Sequence, residues 1–154
     1  MSDEYINARS EAIRHIGIST YSSGKIREYL INKGYSYNIS KDVVAELVNR
    51  GYIDDVKASR VVLLSRSGKK QESKDFLLKR LLSAGIDEFV AEDYIYELPS
   101  DSETIISLYR ALYPFGFDSA IEENMIEALK YASKRGYSFE IAQSGLKKWL
   151  DNIQ

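Results

Sequence analysis

The sequence predicts an all-α protein: three tandem three-helix repeats stacked into an elongated, curved array. Three observations carry that prediction. Gly34, Gly85 and Gly136 lie 51 residues apart. The residues around them recur in register without a gap. A large apolar or aromatic residue follows each glycine (Tyr35, Ile86, Tyr137), and branched aliphatics stand five positions on (Ile39, Val90, Ile141). Further aliphatics come ten positions on (Val44, Ile95, Leu146), and Leu47, Leu98 and Trp149 come at thirteen. Finally, no stretch alternates apolar and polar residues for long enough to make a strand, whereas helical spacing recurs throughout. A long fixed period marks one supersecondary unit stacked on copies of itself. Units of two or three short helices have too little surface to build a core alone, so neighbours must bury a shared seam. The concave face of such an array is a binding surface more often than a catalytic cleft.

The elements follow in order. Repeat one (residues 1–54) begins with a helix over 4–16. A second helix, 23–33, carries Ile26, Tyr29 and Leu30 as one apolar stripe. Gly34 then supplies the left-handed residue that closes a helix without a Cβ clash, and Tyr35 folds back on the last turn. A third helix, 40–50, presents Val43, Val44, Leu47 and Val48, with Ser40 as its N-cap and Gly51 as its stop. Repeat two (55–99) has a helix over 55–67, a helix with Leu77, Leu78, Leu81 and Leu82 before Gly85, and a helix over 88–98 stopped by Pro99. Repeat three (100–154) has a helix over 102–113, a helix with Met125, Ile126, Leu129 and Ala132 before Gly136, and a helix over 139–150. Ser100 with Glu103, and Ser119 with Glu122, read as capping boxes.

Composition narrows the function. The 154 residues are 44% hydrophobic and 29% charged, a globular balance. With no cysteine, disulfides and thiolate metal sites are excluded. The start, Met1-Ser2-Asp3-Glu4-Tyr5, is polar and acidic, and no apolar run approaches the roughly 20 residues that span a bilayer. A cytoplasmic monomer with no membrane partner and no cofactor is therefore expected. The net charge is only −2, but its distribution is uneven. Lys57, Arg60, Arg66, Lys69, Lys70, Lys74, Lys79 and Arg80 face only Glu72 and Asp75 within one short segment. Such flexible cations suit phosphates or an acidic protein groove without reading base sequence.

Catalytic constellations are missing. The one histidine, His15, has no metal-ligand spacing to an Asp or Glu and is read as structural or solvated. Gly68 beside Lys69 lacks the rest of a phosphate-binding loop, and no serine sits in a nucleophile elbow. Asp54-Asp55 is the most enzyme-like carboxylate pair, but after Gly51-Tyr52-Ile53 it reads as a helix N-cap and first-turn charge. Trp149 aligns with Leu47 and Leu98 and so belongs in the core. There are twelve tyrosines; Tyr35, Tyr52 and Tyr137 are expected to pack inter-helix corners with wet hydroxyls, some lining the binding face. The protein is expected not to be an enzyme.

Specific words within the repeat add a resemblance. Ile26-x-x-x-Leu30-x-x-Lys33-Gly34-Tyr35, then Val43-x-x-x-Leu47-x-x-x-Gly51-Tyr52-Ile53-Asp54-Asp55 and Ala58, resembles the first repeat of the RecX family of regulatory proteins. Leu77-x-x-x-Leu81-x-x-Ala84-Gly85-Ile86 is similar to the family's second repeat. Lys134-Arg135-Gly136-Tyr137-Ser138, followed by Ile141, is similar to its closing repeat. The likeness runs over about residues 8–150, and Gly51-Tyr52-Ile53-Asp54-Asp55 is its most specific word. Tyr21-Ser22-Ser23 stands where the family has Arg-Ser, and Ala84 where it has lysine. The resemblance implies three tandem three-helix repeats that bind the groove of the RecA–single-stranded DNA filament. It also implies inhibition of RecA ATP hydrolysis, strand exchange and co-protease activity, with direct DNA binding in some members, in DNA repair, recombination and the SOS response. A helical-repeat adaptor for another protein and a stand-alone DNA-binding protein are the two competing readings.

Overall fold

The computed structural model describes residues 2–153; Met1 and Gln154, the outer bounds of the first and third expected repeats, lie outside the described residues. Among the described residues the regular structure is nine α-helices and one 3-10 turn, with no strand. They are α1 (Asp3–Ile16), α2 (Ser23–Asn32), α3 (Tyr37–Asn49), α4 (Asp55–Leu63), the turn Gly68–Lys70, α5 (Lys74–Ser83), α6 (Glu88–Tyr96), α7 (Asp101–Leu112), α8 (Glu122–Lys134) and α9 (Phe139–Ile153). The all-α prediction is borne out. The chain divides into two compact units. The first holds the residues up to Val62 together with Arg80–Tyr94, and the second holds Leu63–Lys79 together with the residues from Ile95 onward.

The first unit is built on α1, α2 and α3. Ala8, Ala12 and Ile16 recur every four residues along α1, so one narrow stripe of mostly small side chains faces Ile26 and Leu30 of α2 and Val43, Val44 and Leu47 of α3. Ile53 closes this core after the α3 stop. On its margin the His15 ring stacks on Tyr29 at 3.7 Å between centroids and on Tyr21 at 4.9 Å. The histidine is exposed at its edge and packs through its ring face, within the structural or solvated role expected of it.

The second unit centres on α7, α8 and α9. Ile105, Leu108 and Tyr109 meet Ala128 and Ala132 of α8 and Ala142, Leu146, Trp149 and Leu150 of α9. Trp149 is buried, with Tyr113 and Phe117 packed around it. Gly145 lets α9 approach α7, because a Cβ there would stand 2.6 Å from a methyl of Ile105. Tyr109, fully buried, donates its hydroxyl proton to the Ala142 carbonyl at 2.8 Å.

Several element ends differ from the sequence reading. Ser36, not Ser40, caps α3, accepting from the Ile39 N–H at 3.2 Å. The chain turns into α3 directly after the Gly34 corner, which leaves Ser40 buried inside the helix with its hydroxyl unbonded. The Ser100–Glu103 cap forms as expected. Ser119 caps nothing: α8 starts after Ile121 without a side-chain cap, and Asp118 instead takes the Ala120 N–H and the Asn124 amide. Helix α4 stops at Leu63, four residues early, because Ser65, Ser67 and Gly68 favour turns over helix. Leu64 is left 77% exposed. Helix α6 ends at Tyr96, since Pro99 disfavours the helical conformation in the residue before it. In α8 the buried stripe is Ala128 and Ala132, while Ile126 is exposed.

Candidate functional site

The three glycines of the repeat close their helices in the same way. Gly34, Gly85 and Gly136 take φ of 100°, 86° and 91°. The next residue's N–H reaches back to the carbonyl five positions earlier: Tyr35 to Leu30 (3.2 Å), Ile86 to Leu81 (3.0 Å) and Tyr137 to Ala132 (3.1 Å). Gly51 repeats the device at φ 81°, with the Tyr52 N–H on the Leu47 carbonyl at 2.9 Å. Each cap satisfies helix-end carbonyls that would otherwise lack donors.

Asp54 and Asp55 also act on backbone. Asp54 accepts from the Val56 and Lys57 N–H groups at 3.1 Å each and so caps α4. The buried Asp55 carboxylate accepts from the Ser23 N–H (2.8 Å), the Ser23 hydroxyl (2.5 Å) and the Asp87 N–H (2.9 Å). One side chain thus ties the starts of α2 and α4 to the turn before α6, which explains its place in the most specific word of the sequence. Beside it, Ser22 caps α2 and donates to the Ala84 carbonyl at 2.7 Å, while the Gly24 N–H bonds the Gly85 carbonyl at 2.8 Å.

The second unit holds a related arrangement at the start of α5. Asp101 accepts from the Lys74 N–H at 2.8 Å, the Ser73 N–H bonds the Arg135 carbonyl at 3.0 Å, and the Ser73 hydroxyl caps Phe76. Tyr137 is buried with its hydroxyl 2.8 Å from Thr104, so it is not wet; burial pushes its pKa up to about 12. Tyr35 is half-buried and Tyr52 exposed.

The eight cations of the basic segment fall in both units. Lys57 and Arg60, one turn apart on α4, are exposed in the first, where Arg80 is half-buried and engaged within the fold. In the second, Lys69 and Lys70 are exposed on the 3-10 turn and Arg66 is half-buried. Lys74 donates to the Tyr96 carbonyl at 3.2 Å. Lys79 pairs with Asp75 at 3.2 Å and lies over the Phe76 ring. Within the second unit the fold adds residues from outside the basic segment. Tyr131 donates to the Lys69 carbonyl at 3.4 Å, and the Arg135 guanidinium lies 5.2 Å over its ring. The readable signal was the four-residue spacing of Tyr131 and Arg135, with exposed Lys134 beside them. No group of three or more His, Asp or Glu among the described residues is placed to hold a metal, and no helix among them is long and apolar enough to cross a membrane.

No family profile matches the sequence. Individual relatives do. The chain is 27% identical to a regulatory protein RecX of Pelodictyon phaeoclathratiforme, over 91% of its own length and 87% of the relative's. It is 23% identical to a regulatory protein RecX of Leuconostoc mesenteroides over 92% of its own length, and 22% identical to one of Bacillus cytotoxicus over 66%. It spans 54% of the Leuconostoc protein and 38% of the Bacillus one. Among solved structures, the crystal structure of RecX from Lactobacillus salivarius superposes with a TM-score of 0.73 over 97% of this chain and 98% of that one. At 15% identity, that likeness speaks to the fold alone.

Proposed function

Proceeding from the assignment of this chain to the RecX family, which its sequence relatives support and with whose solved member it shares its fold, we propose that it is a non-enzymatic regulator of the RecA recombinase. It docks in the groove of the RecA–single-stranded DNA filament in the cytoplasm and lowers ATP hydrolysis, strand exchange and co-protease activity. Occupying the groove blocks the subunit motions that accompany ATP turnover. The working parts are three helical repeats, bounded at 1–54, 55–99 and 100–154, acting as a monomer. The observation that carries this reading is the alignment with a relative named a regulatory protein over 91% of the chain.

The cationic residues supply the electrostatic part of the reading. Exposed Lys57 and Arg60 on one unit, and Lys69, Lys70 and Lys134 on the other, contact phosphates or filament carboxylates. Tyr131 with Arg135 offers a stacking face beside the second set.

The test is the ATPase rate of RecA assembled on single-stranded DNA, titrated with the purified protein. A dose-dependent fall at or below stoichiometric protein is expected. An unchanged rate, together with no binding to the filament, rejects the regulator reading in favour of an adaptor for another partner. Lys69→Glu with Lys70→Glu should weaken binding and flatten its salt dependence by about one to two counter-ions. An unaltered salt slope removes that turn from nucleic-acid contact.

A further inference from the structure

We propose that a groove on the first unit, walled by α2, α3 and the starts of α4 and α6, is the docking site for a segment of the partner protein that carries apolar side chains next to carboxylates. The proposal rests on the regulator reading and names the surface through which it acts. The groove is open, with a volume of about 660 Å³. That lies within the about 300–1,000 Å³ of pockets that seat a drug-sized ligand. Its floor is buried Val44 and Ile53, and its rim is Val48 and Val56, which stay 44% and 48% exposed. Apolar surface on both floor and rim is a face built to be covered.

Charge identifies the occupant. Half-buried Arg27 and exposed Lys41 line the groove, and neither has an ion pair or hydrogen bond among the described residues. A half-buried guanidinium without a protein partner keeps its donors for an incoming carboxylate, which it can take in a charge-assisted pair. The carboxylates at the groove are already committed. Asp54 caps α4, Asp87 caps α6 through the Phe89 and Val90 N–H groups, and Asp55 accepts three bonds. Each faces a helix start or a backbone donor, where positive partial charge offsets it. The charged groups with hydrogen bonds still to make are therefore Arg27 and Lys41, both donors, and a carboxylate is the acceptor that suits them. Valine walls offer no stacking platform for bases, and two cations make a small phosphate footprint, so a protein segment fits better than nucleic acid. The apolar floor likewise disfavours a free inorganic anion.

The experiment measures binding of the full chain to RecA filaments on single-stranded DNA. The variants are Val48→Asp with Val56→Asp, Arg27→Glu with Lys41→Glu, and the off-groove control Val61→Asp, each checked by circular dichroism and melting. Both groove variants should bind roughly tenfold or more weakly, and the control should stay within about twofold of the wild type. A photo-crosslinking residue at exposed Val56 provides a second measurement in a chain that keeps its core. Its adduct should map to a RecA segment in which apolar residues adjoin Asp or Glu. Wild-type affinity in folded groove variants overturns the docking proposal and leaves the regulator reading in place. So does an adduct on DNA or on a second copy of this chain. If the wild type itself fails to bind filaments, the regulator reading falls, and the docking proposal falls with it.

Discussion

The starts of α2 and α5 solve one packing problem in two ways. In both, a serine caps the helix (Ser22, Ser73), a carboxylate holds the next N–H (Asp55, Asp101), and the helix start lies against a positive-φ glycine 63 residues further on (Gly85, Gly136). At α2 the contact is backbone on backbone: Gly24 meets Gly85 so closely that a Cβ at Gly24 would stand 2.6 Å from the Gly85 carbonyl oxygen and 2.8 Å from its Cα. At α5 the position matching Gly24 is Asp75, exposed and paired with Lys79, and the Phe76 ring covers Gly136 instead. A repeat conserves the job of a position more strictly than the residue. Where backbone fills the gap the site tolerates glycine alone, and where a side chain fills it the site can yield.

That contrast ranks the glycine substitutions. Gly34→Ala sets the baseline, since its Cβ meets nothing within 4 Å; only left-handed strain of about 1 kcal/mol is expected. Gly85→Ala adds a clash with the Ser22 hydroxyl at 2.6 Å and the Lys25 nitrogen at 3.0 Å. Gly24→Ala pushes into fixed backbone. Each of these two should cost about 3 kcal/mol in urea unfolding. Gly136→Ala meets the Phe76 ring and the Ser73 hydroxyl at 2.5 Å. Those side chains can swing aside, so about 2 kcal/mol is expected. Asp75→Ala should fall within about 0.5 kcal/mol of zero. Equal losses at Gly85 and Gly136 would mean that backbone and side-chain neighbours give way alike, contrary to the comparison.

The carboxylates come next. Asp55 is buried and accepts three bonds, whereas half-buried Asp101 accepts from the helix-start N–H of Lys74. Asp55→Ala leaves several donors without partners and should cost about 3 kcal/mol, against about 1 kcal/mol for Asp101→Ala. The same unfolding curves measure both. A smaller effect isolates the ring. Phe76→Ala should cost about 1.5 kcal/mol by removing half-buried apolar surface. In the Phe76→Ala background, Gly136→Ala should become cheaper by about 0.5–1 kcal/mol, a coupling that a double-mutant cycle reads directly. Additive losses would show that the ring does not press on Gly136.

These junctions also mark where the sequence was legible. The 51-residue glycine spacing revealed the helix ends, because a left-handed cap needs glycine in every copy and so leaves an invariant letter. The apolar stripes located the cores, with Trp149 among them. Caps were less readable. Spacing pointed to Ser40 as the cap of α3, and the tight exit from the Gly34 corner puts Ser36 there instead. The Asp55 network joins residues 32 apart in both directions, so spacing suggested a cap and could not suggest the second and third partners. The basic segment was visible as a run of charge, yet its aromatic companion Tyr131 comes from α8, 62 residues away, brought in by tertiary packing. The valine-walled groove left no local signal, since its walls come from four separate segments.

The smallest effect separates the two units by pH. In the first, Glu46 accepts from Arg9 and Tyr5, linking α1 to α3, and the Arg9 hydrogen bond lowers its pKa below the ordinary 4.5. A lowered folded-state pKa means the unfolded chain takes up the proton first on acidification. The contribution of Glu46 is complete above the ordinary value and fades as pH falls through the lowered one. In the second unit, burial raises the pKa of Tyr137 to about 12 and that of Tyr109 also upward. Their folded-state values exceed the ordinary 10.0, so the unfolded chain ionises first on alkalinisation. That contribution is complete below 10 and is lost as pH climbs toward 12. Amide exchange followed against pH should therefore show protection falling first in α1 and α3 on the acid side, and furthest in α7 and α9 on the alkaline side, since Tyr109 and Tyr137 are shifted more than Tyr5 and Tyr35 of the first unit. Glu46→Gln should flatten the acid loss in the first unit and leave the alkaline loss of the second unit untouched. Tyr137→Phe should reduce the alkaline loss and leave the acid limb as it was. If Glu46→Gln altered the alkaline loss of the second unit, or Tyr137→Phe the acid loss of the first, the two units would be titrating as one, and the separation drawn between them would fail.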